Sequence, residues 1–253
     1  MFELIFPPAL ILILGAFLIG PIRAPLRPLI VLGAPLLTLY AIWQMDDGIQ
    51  LTAQFLQYEI QLVESSPLRR LFATIFAIMA FVGGLFAFRQ AKWWELAAAQ
   101  AYAAGAIGVS FAGDLITMFL FWELMAIFST VVVWCGGTEG ARKAGIRYAI
   151  MHLVGGVLLK IGIEGVMVHT GSIEIQPIPL TNIDGWLILI GVLINAAAPP
   201  LSAWLADAYP ESSPSGSGFL SAFTTKTAVL ALILLFPGQQ ILIWIGLYMI
   251  FYG

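Results

Sequence analysis

Apolar residues in this chain run in long unbroken stretches instead of alternating with polar ones. A helix crossing a hydrocarbon core needs about 20 mostly apolar residues. By that measure the sequence predicts spans at 2–20, 26–45, 71–88, 95–111, 115–136, 145–169, 186–205 and 216–236, and the start of a ninth at 239–253. The first is expected to be a span and not a cleaved leader, because its start lacks a basic region and the second span follows after only five residues. The one long connection, 46–70, alternates polar and apolar positions irregularly, which predicts an ordered or interfacial surface loop without a domain of its own.

Composition agrees with the pattern. Sixty per cent of the 253 residues are hydrophobic, mean hydropathy is +0.96, and only 10% are charged. A soluble domain carries about a quarter of its residues charged. A soluble globular enzyme, a nucleic-acid binder and a disordered chain are excluded, leaving an all-α polytopic membrane protein. Cys135 stands alone, so neither an intrachain disulfide nor a thiolate cluster can form. The histidines, His152 and His169, are seventeen residues apart, and no metal-ligand spacing appears.

Basic residues in short loops set orientation. Arg23, Arg27, Arg89, Lys92, Arg142, Lys143 and Arg147 lie at connections after spans one, three and five, against Arg69 and Arg70 on the other side. This bias predicts an N-terminus on the outer face and basic loops in the cytoplasm.

Two features interrupt the apolar runs. Pro199 and Pro200 fall inside the seventh, where each lacks an N–H and clashes with the preceding turn. A break at membrane depth survives only where protein or water surrounds it. Two half-helices, 186–198 and 201–208, are therefore expected, with a simple proline kink as the plainer reading. The stretch 210–218 reads as a loop and helix start.

The second feature is charge within the spans. Glu123 lies near the middle of span five and Lys226 near the middle of span eight, while His152, Lys160 and Glu164 share one slowly drifting face of span six. A charge at mid-bilayer costs at least ~2.5–3.5 kcal/mol, so such groups turn inward, pair, and mark ion or proton paths. Each also has a structural reading. Glu123 would pair Lys160 or Lys226, Lys160 and Glu164 would pair along their own helix, and His152 would be a packed, hydrogen-bonded histidine. His169 reads as interfacial and Cys135 as a small packing residue.

The segments GDLITMFLFWELMAIFS (113–129) and PPLSAWLADAYPESSPSGSGFLSAFTTKTAV (199–229) resemble the proton-conducting antiporter family. That family includes the A-type and D-type members of Mrp multisubunit cation/proton antiporters. It also includes the antiporter-like subunits of respiratory complex I and of membrane-bound hydrogenases. The F-W-E-L-M around Glu123 resembles the family's span-five glutamate motif. The P-L-x-x-W-L-x-D-A run at 200–208 resembles the stretch after its broken helix, and Lys226 in F-T-T-K-T-A-V its span-eight lysine. The long, gap-free second motif is the more specific, and the overall texture is most similar to the D-type member of the Mrp antiporters.

The resemblance implies three leading helices (1–92), a five-helix repeat with a broken seventh helix (93–236), and the start of helix nine (237–253), about half of a family member. It implies a proton-translocating subunit of a bacterial inner-membrane Na⁺/H⁺ antiporter, with Glu123 and Lys226 as carriers, His152, Lys160 and Glu164 as a candidate lateral relay, and no cofactor of its own. Its partners would be the other subunits, the bilayer, protons and sodium ions. The alternatives are a pumping subunit of a complex I-like or hydrogenase complex, and a non-conducting assembly subunit. One position departs from the family: its broken-span lysine falls at Asn195, a neutral amide. Lys160 is the candidate substitute, whose loss should then abolish transport. Asp114, Thr117, Asp207 and Ser221 are candidates for a cation site. An end fifteen residues into a span suggests a part of a longer chain, or one half of a split pair.

Overall fold

The computed structural model describes residues 6–252. Eleven helices appear among them: α1 (Pro8–Ile19), α2 (Arg27–Trp43), α3 (Pro67–Ala87), α4 (Trp93–Phe111), α5 (Leu115–Trp134), α6 (Glu139–Thr170), α7 (Ile183–Asn195), α8 (Ala203–Glu211), α9 (Pro214–Ala222), α10 (Thr224–Leu235) and α11 (Gln240–Tyr252). The expected spans correspond to these, although the start of the first and the end of the ninth lie outside the described residues. Large apolar side chains such as Phe17, Leu29, Leu153, Val168 and Phe251 point outward. Five helical segments (counting α9 and α10 as one, and α2 together with the short turn Ala24–Leu26 that leads into it) are long and apolar enough to cross a membrane. The chain is a multi-pass membrane protein.

Helix α4 is the axis of the first part. It is Ala-rich and buried over nearly its whole circumference, with α1, α3 and α5 packed around it. Small residues permit this, because helices in lipid associate by close van der Waals approach. The same device joins α6 to α7. A Cβ on Gly191 would lie 2.7 Å from the Gly155 carbonyl oxygen, closer than any side chain allows.

The connection 46–70 is ordered and has a sheet that its irregular alternation did not announce. It folds into an antiparallel hairpin, β1 (Gly48–Phe55) with β2 (Tyr58–Ser65), closed by Leu56 and Gln57. Leu56 sits in the left-handed region at φ 53°. The fold is thus all-α in its apolar spans, with this one sheet outside them. Two register irregularities, between Ile49 and Leu51 and between Leu51 and Thr52, shift the alternation by a residue. A bulge of this kind scrambles the period-two signal, and the turn lacks the Asn-Gly or Asp-Gly that would have marked it.

Side chains read as loop charges or ion ligands hold the hairpin in place. Asp114 caps α5, accepting from the Thr117 N–H at 2.8 Å and hydroxyl at 2.7 Å, and from the Gln61 N–H of β2 at 2.6 Å. Arg69 is buried beneath the hairpin. Its guanidinium donates to Glu64 at 2.7 Å and to the carbonyls of Ser110 and Ala112 at the end of α4.

Candidate functional site

The seventh span is broken, three residues earlier than the prolines suggest. Helix α7 stops at Asn195 and α8 begins at Ala203. A Schellman motif ends α7: the Ala198 N–H bonds to the Leu193 carbonyl at 3.0 Å and the Ala197 N–H to that of Ile194 at 3.1 Å. Proline also disfavours helical backbone in the residue before it, here Ala198. Ala197 takes the left-handed position at φ 57°, where glycine is the usual choice. An L-residue there costs about 1 kcal/mol, so Ala197→Gly should raise the apparent Tm of the protein by a few degrees, read by thermal unfolding in detergent. An unchanged or lowered Tm would remove this account of the break.

The indole of Trp204, from α8, reaches back and donates to the Ile194 carbonyl at 2.9 Å, alongside the Ala197 N–H. It also closes an aromatic cage. The Trp204 ring lies 4.8 Å from that of His152 and 5.3 Å from that of Tyr148, which is 4.1 Å from His152. Asn195, 1% exposed, stands beside the imidazole. Neither the two amide atoms nor the two ring nitrogens have a hydrogen-bond partner among the described residues.

Glu123 enters the same region from α5. Its carboxylate lies over Gly156, where any Cβ would collide with Oε1. That oxygen is buried and unpartnered, and so is the neighbouring Trp122 Nε1. Tyr148 Oη points toward Ser129 and Thr224 without bonding to either, and Thr227 Oγ1 is a further buried orphan. Buried polar atoms without partners thus occur on α5, α6, α7 and α10, and those of Tyr148, His152 and Asn195 adjoin one another beside the break. Such atoms are rare in native proteins and mark a site or bound water.

The other sequence candidates lie elsewhere. Lys160 and Glu164 pair with each other along α6, each more than half exposed. Eight residues of helix rotate the chain about 80° beyond two full turns, enough to carry Lys160 out of the interface that buries His152. Lys226 is exposed and donates to the Ser221 carbonyl, and no ion pair joins it to Glu123. Asp207 makes a two-pronged ion pair with Arg147, both bonds 2.6 Å, bracketing α8 to α6. The four cation-site candidates are thus engaged locally: Asp114 and Thr117 in a cap, Asp207 with Arg147, and Ser221 with Gly218. Cys135 is a half-buried free thiol. His169 Nδ1 is 2.6 Å from the Asp184 carboxylate, a bond between α6 and α7 that sequence did not anticipate. Among the described residues no three His, Cys, Asp or Glu side chains converge on a metal position.

Span eight is also interrupted. Phe223, at φ −112° and ψ −68°, separates α9 from α10. The Thr224 N–H, without a helical acceptor, donates to Tyr102 Oη at 3.0 Å, and the Leu220 carbonyl accepts from Tyr209 Oη at 2.8 Å. Lys226 bonds to a carbonyl of this same interruption. Glu95 is a further buried group that sequence reading passed over, its carboxylate accepting from the Ser213 and Ser215 hydroxyls. An acid heading an Ala-rich helix was the available signal for it. For Tyr102 there was none.

Residues 112–253 match the family model described as NADH:quinone oxidoreductase/Mrp antiporter, TM. Among curated relatives, the D-type component of the Na(+)/H(+) antiporter of Bacillus subtilis (strain 168) is 24% identical over 70% of this chain and 41% of its own length. The chain spans less than half of that relative. Two solved structures share the fold. A chain of the membrane-bound sulfane sulfur reductase, an archaeal respiratory membrane complex, superposes with a TM-score of 0.80 at 24% identity, covering 90% of this chain and 40% of that one. A chain of the Mrp complex from Dietzia sp. DQ12-45-1b superposes with a TM-score of 0.70 at 22% identity, covering 96% and 47%.

Proposed function

The chain belongs to the NADH:quinone oxidoreductase/Mrp antiporter transmembrane family, and on that premise we propose that it is a proton-translocating part of a multisubunit monovalent cation/proton antiporter. The observation that carries the reading is the group of unpartnered buried polar atoms of Tyr148, His152 and Asn195 beside the helix break, with the orphaned Glu123 Oε1 over Gly156, one turn of α6 from His152. An unsatisfied buried polar group costs about 1–3 kcal/mol. A cluster of them beside a helix break fits a chamber that admits water. Glu123, a carboxyl without a fixed partner, takes up and releases the proton there.

His152 supplies what Asn195 cannot. Imidazole accepts a proton at one nitrogen and releases it from the other. It lies beside Asn195, whereas Lys160 is turned away and already paired. Lys226 continues the path from the second interruption. In this reading residues 1–92 form leading helices, 93–236 the conducting five-helix unit and 237–253 the start of a further span. The basic end of the bundle lies in the cytoplasm, the N-terminus outside, and sodium is the exchanged ion.

The family description also covers redox-driven quinone reductases. A second reading is therefore a pumping subunit of such a complex, distinguished by flux that follows electron transfer and not a sodium gradient. The neutral Asn195 favours a third, a non-conducting assembly subunit.

Proton flux into vesicles carrying the assembled complex tests the assignment. His152→Gln should lower flux by about tenfold or more, with the complex still assembling by native gel. Lys160→Met should leave flux within a factor of about two, as expected of an exposed pair. The reverse outcome would return the substitute role to Lys160.

A further inference from the structure

At the basic end of the bundle an apolar groove of about 550 Å³ opens between α1, α4 and α5. Ile13 and Phe17 of α1, Trp93 and Trp94 at the head of α4, and Leu124 and Phe128 of α5 form its walls. Its size falls within the ~300–1,000 Å³ range of small-molecule sites. Along the three helices the lining runs from Gly20 to Ile13, from Trp93 to Ala101 and from Val131 to Leu124, about 10–12 Å of depth at 1.5 Å per residue. The groove therefore extends along the helix axes from the bundle end toward its middle.

Its mouth is basic. Lys92 precedes the lining Trp93, and its Nζ lies 5.0 Å from the Trp94 ring centroid, over a second lining residue. Arg23 follows the lining Pro21 by two positions and is exposed. Neither has a carboxylate within ion-pair distance among the described residues. The acid next along the chain from Lys92, Glu95, is buried and turned to Ser213 and Ser215. Arg27 donates to the Ile19 carbonyl at 3.1 Å, near the groove's end of α1. Tryptophans at the rim, an apolar interior and uncompensated cations at one end are the features that basic intramembrane pockets present to anionic lipid headgroups.

We propose that this groove holds an acyl chain of an anionic phospholipid, with the phosphate of its headgroup held by Arg23 and Lys92. The apolar walls take the chain, and the two cations select against zwitterionic lipids. Neither Glu123 nor His152 takes part, so the site stands apart from proton transfer, and loss of flux does not bear on it.

The test uses the assembled complex with the full-length chain, in nanodiscs of phosphatidylcholine. Each sample is doped with phosphatidylglycerol or phosphatidylcholine carrying a diazirine on the acyl chain. After illumination, adducts are mapped by peptide mass spectrometry. Phosphatidylglycerol adducts on Phe17, Trp94 and Leu124 should exceed phosphatidylcholine adducts by at least about fivefold, the factor one basic side chain contributes near an anionic surface. Arg23→Gln with Lys92→Gln should bring that ratio to about one with phosphatidylcholine labelling unchanged, because only the headgroup contacts are removed. Ala97→Phe, which fills the groove, should remove adducts of both lipids. Equal labelling by the two lipids, a ratio that survives the double substitution, or groove residues cross-linked to another subunit instead of lipid would each overturn the proposal.

Discussion

Glu123→Gln should lower proton flux through the assembled complex by about a hundredfold, the lower end of what a positioned proton-transfer group contributes. Glutamine keeps the length and planar end of glutamate, so it still fits over Gly156, where the missing Cβ leaves room for it. Only the capacity to change charge is lost. The present geometry makes the substitution informative because Glu123 holds no ion pair with Lys160 or Lys226, so its removal orphans no cation. A merely structural glutamate would tolerate the change or gain stability, since a neutral amide is cheaper to bury than a charge. Flux in sealed vesicles and thermal unfolding of the same preparation separate the two. Unchanged flux, with Lys226→Ala equally silent, would leave only the assembly reading.

The largest expected effect on stability lies far from this site, at Arg69. Arg69→Met should destabilise the protein by about 3 kcal/mol, the lower bound for removing one member of a buried charge pair. The lower bound applies because Glu64 is 32% exposed and keeps some hydration. The guanidinium also satisfies the Ser110 and Ala112 carbonyls that end α4, and methionine offers no donor in their place. Glu64→Gln leaves those two bonds intact and keeps an amide oxygen that can accept from the guanidinium, so it should cost less than Arg69→Met. Denaturation of the two variants in parallel checks the ordering. Equal losses would mean that the ion pair, and not the capping of α4, is what Arg69 contributes.

Arg69 also shows where sequence reading reaches its limit. Along the chain it counts as one of two basic residues in a loop, useful only for orientation. In the fold it is 4% exposed and joins the hairpin to α4. Nothing local distinguishes it from Arg70, whose side chain reaches the more exposed Asp47. The difference arises because Ser110 and Ala112, more than forty positions away, end a helix at that point.

The candidate site divides in the same way. Pro199 and Pro200 announced a break, because proline's missing donor is a local property. The exact end of α7 depended on Ala197 entering the left-handed region and on Trp204 returning to the Ile194 carbonyl. The interruption at Phe223 had no proline or glycine to signal it. It is held by Tyr102, more than 120 positions earlier in the chain. On α6, spacing placed His152, Lys160 and Glu164 on one drifting face but could not say which sector of that face met α7 and α8. Packing buried the first and turned the other two outward.

The sequence by itself therefore determined what depends on composition and on near neighbours. Long apolar runs required membrane helices, paired prolines marked where a helix would break or kink, and two long motifs carried the resemblance to the family. The tertiary structure decided which face of each helix is buried, which charges have partners, and where a polar group is left without one. Those properties belong to contacts between residues far apart in the chain, and helical periodicity fixes only the relative angles of side chains, never the rotation of the helix against its neighbours.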